Sequence, residues 1–264
     1  MWQLALLPDS KTLVSGSKDG SVYLWDTTTI HHEQTRVILP ATVAAWRFAP
    51  DGKSVLTVDL QGRAAQWKGT DFQESESLMD IGTEFSYYRW LLRYSVLISR
   101  DARWLAAGST NGTIRVWDLR ARTLLGQSTV STGGVIPLEF VAQGKRLMVV
   151  HVDDGSVHEW DLTTWQESRS WQGAADTPYP AFSQDGRWSL ALGWEGASLL
   201  REIATGRETN HRLDFSGVNA TFSPDGRFFA ASSERGYAKL WETATFRELA
   251  TFGGFWRGGV HSVA

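Results

Sequence analysis

A regularly spaced glycine constrains this chain more than any other sequence feature. Six glycines stand 40 to 50 residues apart, namely Gly20, Gly62, Gly112, Gly155, Gly196 and Gly236. This interval is close to the length of a four-stranded repeat unit. Five of the six are followed, five residues later, by a tryptophan, at Trp25, Trp67, Trp117, Trp160 and Trp241. The sixth has Arg201 at that offset, so we expect six similar units, of which the fifth diverges.

Each unit also begins with a turn-forming triplet. In residues 222–227, Pro224 presets φ, Asp225 can bond its own backbone and Gly226 accepts a positive φ. Such a turn reverses the chain between two antiparallel strands. Apolar runs of about five residues follow the turns and predict buried second strands, and the segments ending in tryptophan predict third strands. Looser fourth strands follow, and no long stretch has the 3.6-residue period of a helix.

We therefore predict an all-β fold, a β-propeller of six four-stranded blades in a single domain over residues 1–264. Packing the sheets face to face would bury both faces of each one. The blades are expected near residues 1–39, 40–79, 93–127, 134–172, 178–213 and 217–252. Residues 258–264 look like the first strand of a further blade, so we expect a piece of a longer chain, consistent with an incomplete seven-bladed ring.

The motifs resemble those of the WD-repeat family, most closely in SGSKDGSVYLWD at 15–26 and STNGTIRVWD at 109–118. The resemblance covers the whole chain. It implies a β-propeller whose blades are often tied by a hydrogen-bonded set that includes a Ser or Thr in the second strand, an Asp in the second turn and the tryptophan. Asp19 and Asp154 match the turn aspartate, and four other residues replace it: Gln61, Asn111, Glu195 and Arg235.

Composition narrows the function classes. The net charge of −3 and the absence of a basic run argue against nucleic-acid binding. The chain has no cysteine, which excludes thiolate metal sites and cysteine nucleophiles. It has no apolar segment of about 20 residues and no signal-peptide pattern at its start, so we expect no membrane association and predict a cytoplasmic location.

No catalytic motif is visible. The chain offers no nucleophile elbow and no glycine-rich phosphate loop, and His31-His32 is read as part of a solvated connection. We therefore predict that the protein is not an enzyme and needs neither cofactor nor metal.

The candidate partner surface is the face on which the second turns and the connections between blades emerge. The resemblance gives this face as the usual interaction surface. Its charges are mixed, which favours a protein or peptide partner over nucleic acid. The candidate residues are Lys18, Asp153, Trp194 and Glu234 at second turns, with Tyr87, Tyr88, Arg89 and Trp90 in a long loop predicted over residues 80–92.

Each candidate aromatic has a structural alternative. Trp194 could pack against the fifth blade, where Arg201 would leave the tryptophan site empty, and the aromatics of the 80–92 loop could cover the rim between blades. The leading interpretation is a non-catalytic scaffold for protein–protein interaction. The alternatives are a sensor or scaffold domain of a larger signalling enzyme, and a hydrolase- or transport-associated propeller.

The tryptophan assignment makes a first prediction. Replacing Trp117 by alanine should lower the free energy of unfolding by about 3–5 kcal/mol, because a large buried ring is removed from its blade. Urea unfolding of the variant and the original chain measures the difference. A loss below about 1 kcal/mol, the range of a surface substitution, would contradict the buried position.

Overall fold

The computed structural model describes residues 3–6, 12–16, 21–26, 34–38, 43–49, 54–68, 74–82, 87–88, 93–173, 180–192, 197–212, 217–233 and 238–252. These residues form six four-stranded antiparallel sheets, one two-stranded sheet and one 3-10 turn, Ala142–Gly144. In each four-stranded sheet the strands lie side by side in chain order. The fold is therefore all-β with the blade sheets of a β-propeller, as predicted.

The first three four-stranded sheets lie within residues 3–129. The first contains β1 (Gln3–Leu6), β2 (Thr12–Gly16), β3 (Ser21–Asp26) and β4 (Gln34–Ile38). The second contains β5 (Val43–Phe48), β6 (Ser54–Asp59), β7 (Arg63–Lys68) and β8 (Glu74–Asp80). A hairpin of β9 (Tyr87–Tyr88) and β10 (Arg93–Tyr94) precedes the third. The third contains β11 (Val96–Ile98), β12 (Trp104–Gly108), β13 (Thr113–Asp118) and β14 (Thr123–Thr129).

The other three sheets lie within residues 135–252. The fourth contains β15 (Val135–Val141), β16 (Arg146–His151), β17 (Ser156–Asp161) and β18 (Gln166–Gln172). The fifth contains β19 (Ala181–Phe182), β20 (Trp188–Leu192), β21 (Ala197–Glu202) and β22 (Arg207–Arg212). The sixth contains β23 (Gly217–Phe222), β24 (Phe228–Ser233), β25 (Ala238–Glu242) and β26 (Arg247–Phe252).

The chain divides into two compact units. The first comprises Met1–Pro137 with His151–Asp153, and the second comprises Leu138–Val150 with Asp154–Ala264. The first three sheets belong to the first unit and the last two to the second, so the division falls within the fourth sheet. The single domain over 1–264 stays a prediction.

Each unit has a core in which a blade tryptophan is buried. In the first unit Trp117 is 8 % exposed and belongs to a cluster with Ile98 and Leu105. In the second, the Trp241 ring lies nearly flat on Phe229, with ring centroids 5.0 Å apart and planes at 12°. Stacked aromatic pairs add about 0.5–1.5 kcal/mol to the stabilisation from burial alone. Trp117 and Trp241 thus act as core residues.

The first turn of a sheet is a compact hydrogen-bonded unit. In the sixth sheet the Ser223 hydroxyl donates to Asp225 Oδ1 at 2.6 Å and accepts the Phe228 N–H at 3.0 Å. The same pair of bonds recurs in the turns that begin at Ser183 and Ser99. In these three sheets a serine before the predicted turn triplet therefore holds both the aspartate and the strand that follows.

The acidic residue after the tryptophan closes the turn between the third and fourth strands. Asp118 Oδ1 accepts the backbone N–H groups of Arg120 and Ala121 at 2.8 and 2.9 Å. Asp161 Oδ1 does the same for Thr163 and Thr164 at 2.8 and 3.1 Å. A side-chain oxygen that accepts nearby backbone N–H groups stabilises a tight turn. The Trp-Asp pair therefore combines a core residue with a turn residue.

The second turn requires glycine for two reasons. Gly112 has φ +80°, and a side chain built on it would collide with the Ser131 carbonyl oxygen. The Gly112 carbonyl also accepts the Val130 N–H at 2.8 Å. Only glycine combines the left-handed backbone with so close an approach of another chain segment. The glycine period read from the sequence therefore marks where the second turn meets the connection to the next sheet.

Two local expectations need correction, and one predicted strand gains its bounds. The 80–92 segment is not wholly a loop, because Tyr87–Tyr88 pairs with Arg93–Tyr94, and tyrosine favours extended backbone. The third sheet begins at Val96, not at 93, since residues 93–94 are engaged in that hairpin. The fourth strand of the fifth sheet, expected within 178–213 without assigned residues, is Arg207–Arg212, whose polar sequence carries no apolar alternation.

One tryptophan has the hydroxyl partner that the family resemblance implies, and one does not. Trp67 Nε1 donates to Thr57 Oγ1 at 2.9 Å, and Thr57 lies two residues beyond Val55, the residue paired with Trp67. In the fourth sheet Trp160 pairs with Leu147, and the residue two positions beyond Leu147 is Val149, which has no hydroxyl. Accordingly, buried Trp160 Nε1 has no hydrogen-bond partner within the described part of the chain.

This difference predicts opposite effects of two substitutions. Thr57→Val should destabilise the protein by about 1–2 kcal/mol, because the Trp67 N–H loses its acceptor. Val149→Thr should supply an acceptor for Trp160 and so be better tolerated than Val150→Thr, whose side chain points to the opposite face of the same strand. Urea unfolding of the three variants tests both statements. Equal losses for the two new threonines would contradict the register argument.

The turn aspartates predict a dependence of stability on pH. The N–H groups of Thr164 and Thr163, with a smaller contribution from the charge of Arg146, lower the pKa of Asp161 below its ordinary value of 3.8. A lowered pKa in the folded state stabilises the fold above the unfolded-state value, near pH 4, and this contribution is lost as the pH falls through the folded-state value.

Asp161→Asn should therefore flatten the acid limb of the stability curve, because an amide oxygen can still accept the two N–H groups but carries no charge. Thermal unfolding midpoints between pH 7 and pH 2.5 would show a smaller decrease for the variant than for the original chain. Parallel curves would show that Asp161 contributes nothing to the acid sensitivity.

Candidate functional site

The second turns lie against the connections that leave each fourth strand. The Ile81 N–H donates to the Gly62 carbonyl at 2.8 Å in the second sheet. The Val152 N–H donates to the Gly134 carbonyl at 2.8 Å, which joins the second turn of the fourth sheet to the connection before it. We call these turns and connections the turn rim. Because backbone hydrogen bonds hold its parts together, the described stretches of the rim form an ordered surface.

Asp153 is the candidate residue whose side chain the structure describes, and it is exposed on the turn rim. Its carboxylate lies directly against Gly133, where a Cβ would overlap it. The next residue, Asp154, accepts the Ser156 N–H at 2.9 Å on Oδ1 and so shapes the turn. The adjacent aspartates therefore have different roles. Asp154 accepts a backbone hydrogen bond within the turn, while Asp153 presents a negative charge at the surface.

The other candidates are only partly described. Tyr87 and Tyr88 form β9, so the two residues are adjacent on a short strand, not in a loop. Five candidates lie outside the described residues: Lys18, Arg89, Trp90, Trp194 and Glu234. His31 and His32 also lie outside them. The structure therefore does not show whether the candidate residues form one surface.

Arg201 does not leave an empty site where the fifth tryptophan would be. Its guanidinium lies 5.5 Å from the centre of the Trp171 ring and forms an ion pair with Glu208. Arg169 Nη1 donates to the Ile203 carbonyl at 2.8 Å nearby. Arginine can replace an aromatic ring here because its planar head stacks on another ring while its charge is matched. The expectation of an empty site was wrong.

One set of side chains stands in the order of a hydrolytic triad. The Ser156 hydroxyl lies 2.8 Å from His158 Nε2, and His158 Nδ1 lies 3.1 Å from Glu167 Oε2. The hydroxyl, however, also lies 2.6 Å from Asp154 Oδ1. Asn111 and Thr113 form the same backbone bond in the third sheet, without a histidine. The Ser156 contacts therefore follow from the turn that precedes a third strand.

Sequence reasoning missed a buried charge beside this set. Glu159 is fully buried, and its Oε1 accepts Ser168 Oγ at 2.7 Å and lies 3.2 Å from Arg146 Nη1. A glutamate on a strand of mixed polar and apolar residues carries no sequence signal that distinguishes a buried side chain from an exposed one. Within the described ranges, no three His, Asp or Glu side chains are grouped to hold a metal ion, and no helix is long and apolar enough to cross a membrane.

Known proteins share parts of this sequence. The chain is similar to the Target of rapamycin complex subunit LST8 of Bos taurus, with 27 % identity over 168 residues, 58 % of this chain and 50 % of that protein. The subunit of the same name from Mus musculus is 26 % identical with the same coverage. The Protein LST8 homolog of Drosophila melanogaster is 27 % identical over 113 residues, 42 % of this chain and 36 % of that protein. The chain thus matches half or less of the length of these relatives.

The family model of the WD domain, G-beta repeat, matches residues 1–26, 94–118 and 205–242. Each of the three regions ends on the acidic residue that follows a blade tryptophan, at Asp26, Asp118 and Glu242. In the structure these residues are the last of β3, β13 and β25. The matched regions and the four-stranded sheets agree, and the resemblance to the WD-repeat family is confirmed in these three regions.

Proposed function

We propose that this protein is a non-catalytic scaffold that presents its turn rim, with the 80–92 segment, to a protein partner. The observation that carries the proposal is the construction of the rim. Second turns and connections are joined by backbone hydrogen bonds, such as Ile81 N–H to Gly62 O, while residues at the tips, such as Asp153, are exposed. A rim held by its backbone can change its exposed side chains without losing its shape.

The relatives support a role within a protein assembly. Those from Bos taurus and Mus musculus are named as subunits of the target of rapamycin complex. We extend to this chain the general role of a subunit that binds other proteins, through residues of its own rim. The partner is a protein or peptide, and nucleic acid and membrane are not expected partners. A cytoplasmic location stays a prediction.

Affinity capture followed by reconstitution tests the proposal. The full chain is immobilised, the proteins that bind it in a lysate of its source are quantified, and the main one is purified and titrated against the chain. A double variant, Trp90→Ala with Trp194→Ala, and the single variant Asp153→Lys should each weaken this binding at least tenfold, since central aromatic and charged residues carry most interface energy.

Arg207→Gln provides the matched control. Arg207 is exposed at the turn between the third and fourth strands of the fifth sheet, which is the other end of that sheet from its second turn. The control should bind like the original chain. Unchanged binding by both rim variants, with intact folding, would refute the rim as the partner surface. Turnover of the captured protein by the chain would refute the scaffold role itself.

A further inference from the structure

A cleft of about 480 Å³ opens in the first unit between the second and third sheets, away from the turn rim. Its lining includes three leucines, Leu56, Leu78 and Leu119, two alanines, Ala49 and Ala102, and the polar side chains of Ser54 and Gln66. Leu56, Ala102 and Leu119 belong to the core cluster of this unit. The cleft therefore exposes the edge of an already packed core, and its volume is in the range of sites that bind ligands.

The wall contributed by the third sheet is positively charged. Arg120 and Arg122 line the cleft from the turn between β13 and β14. Arg122 forms an ion pair with Glu76 of the second sheet, which Lys68 also contacts at 3.0 Å. The Arg120 guanidinium has no ion-pair or hydrogen-bond partner among the residues that the structure describes. One cation at the cleft is thus available to a ligand.

The negative group at the cleft is already engaged. Asp101 Oδ1 accepts the Ser99 hydroxyl at 2.5 Å and the Arg103 N–H at 3.2 Å. The turn that carries Arg120 is held in place by Asp118, which accepts the Arg120 N–H at 2.8 Å. The backbone of Arg120 is therefore held in place, which lowers the entropic cost of binding an anion to its side chain.

Apolar surface continues along the chain from this wall. Leu124 and Leu125 follow Arg122 by two and three residues and are 49 % and 43 % exposed. The pairing of β13 with β14 shifts between Val116 and Trp117, so Leu124 pairs with Trp117 and Leu125 is the extra residue of a β-bulge. A β-bulge of this kind turns side chains outward. Exposed leucines beside the cleft favour an extended chain over a small free acid as the occupant.

We propose that this cleft binds a peptide segment of a protein partner in which an apolar side chain is followed by a carboxylate. The apolar side chain would rest on Leu56, Leu78 and Leu119, and the carboxylate would pair with Arg120. The proposal rests on the scaffold function in one respect, that the occupant belongs to a protein. It adds a second surface, separate from the turn rim.

Peptide titration followed by methyl NMR tests the proposal on the full chain. Two short synthetic peptide pools on a glycine–serine background are compared, one with leucine followed by aspartate and one with leucine followed by lysine. The aspartate pool should bind more tightly and should shift the methyl signals of Leu56, Leu78 and Leu119. Equal binding of the two pools, or shifts confined to other methyl groups, would overturn the proposal.

Two variants of an exposed residue keep the test independent of folding. Arg120→Gln should weaken binding of the aspartate pool by about two- to fivefold, as loss of one exposed charged contact. Arg120→Glu should reverse the preference, so that the lysine pool binds better. Arg207→Gln, in the second unit, is the control and should leave both pools unchanged. A preference that survives Arg120→Glu would refute the charge pairing.

Isovalerate distinguishes the other source of the same chemistry, because it joins a leucine-like side chain to a carboxylate without a peptide backbone. If isovalerate causes the cleft shifts and the aspartate pool does not, the cleft is a small-acid site and the peptide proposal fails. Neither result, equal binding of the two pools or binding of isovalerate alone, would affect the proposed binding of a protein partner at the turn rim. Conversely, the Trp90→Ala, Trp194→Ala variant should lose partner binding at the turn rim and should still bind the aspartate pool.

Discussion

A backbone hydrogen bond between two turns is the constraint on which the sheets depend. In the third to sixth sheets, the second residue after the tryptophan position donates its N–H to the residue that precedes the second strand. The four bonds, of 2.8 to 2.9 Å, are Leu119 to Arg103, Leu162 to Lys145, Ile203 to Arg187, and Thr243 to Arg227. They join the two turns at one end of a sheet. The fourth sheet has an atypical first turn and the fifth lacks the tryptophan, yet both keep the bond.

Side chains reinforce this bond where they can. Arg103 stacks on Trp104 at 4.2 Å and reaches Asp118 at 3.4 Å, and Arg187 stacks on Trp188 at 5.0 Å and reaches Glu202 at 3.1 Å. Exposed pairs of this type contribute little each. Their geometry is useful because it bridges the two turns that the backbone already joins. The repeat therefore tolerates loss of individual side chains, since its backbone pairing does not rely on any one of them.

The sequence predicted the sheets better than the candidate site for a physical reason. A strand that ends in tryptophan and a turn that needs glycine are local requirements, and the period repeats them, so Trp117 and Gly112 could be assigned from sequence alone. Arg201 shows the limit of this reasoning, because its stacking on Trp171 depends on a residue 30 positions earlier. Likewise Arg120 and Leu56 meet at one cleft only because two sheets pack together. The residues of polar β22 could not be assigned from sequence because antiparallel pairing, not apolar alternation, makes it a strand.

The departures from the family pattern separate what a blade needs from what it can vary. Asn111 replaces the expected turn aspartate and still accepts the Thr113 N–H at 3.1 Å, so the turn survives the loss of charge. Asp59 accepts the N–H groups of Gln61 and Arg63 at 2.9 Å from a different position in its turn. The requirement is an acceptor oxygen within reach of a backbone N–H in the turn, and several residues meet it. Because the turns can meet this requirement in several ways, their remaining side chains are free to differ between blades. Surface chemistry such as the Asp153 carboxylate or the Arg120 guanidinium can therefore arise in one blade without a counterpart in the others.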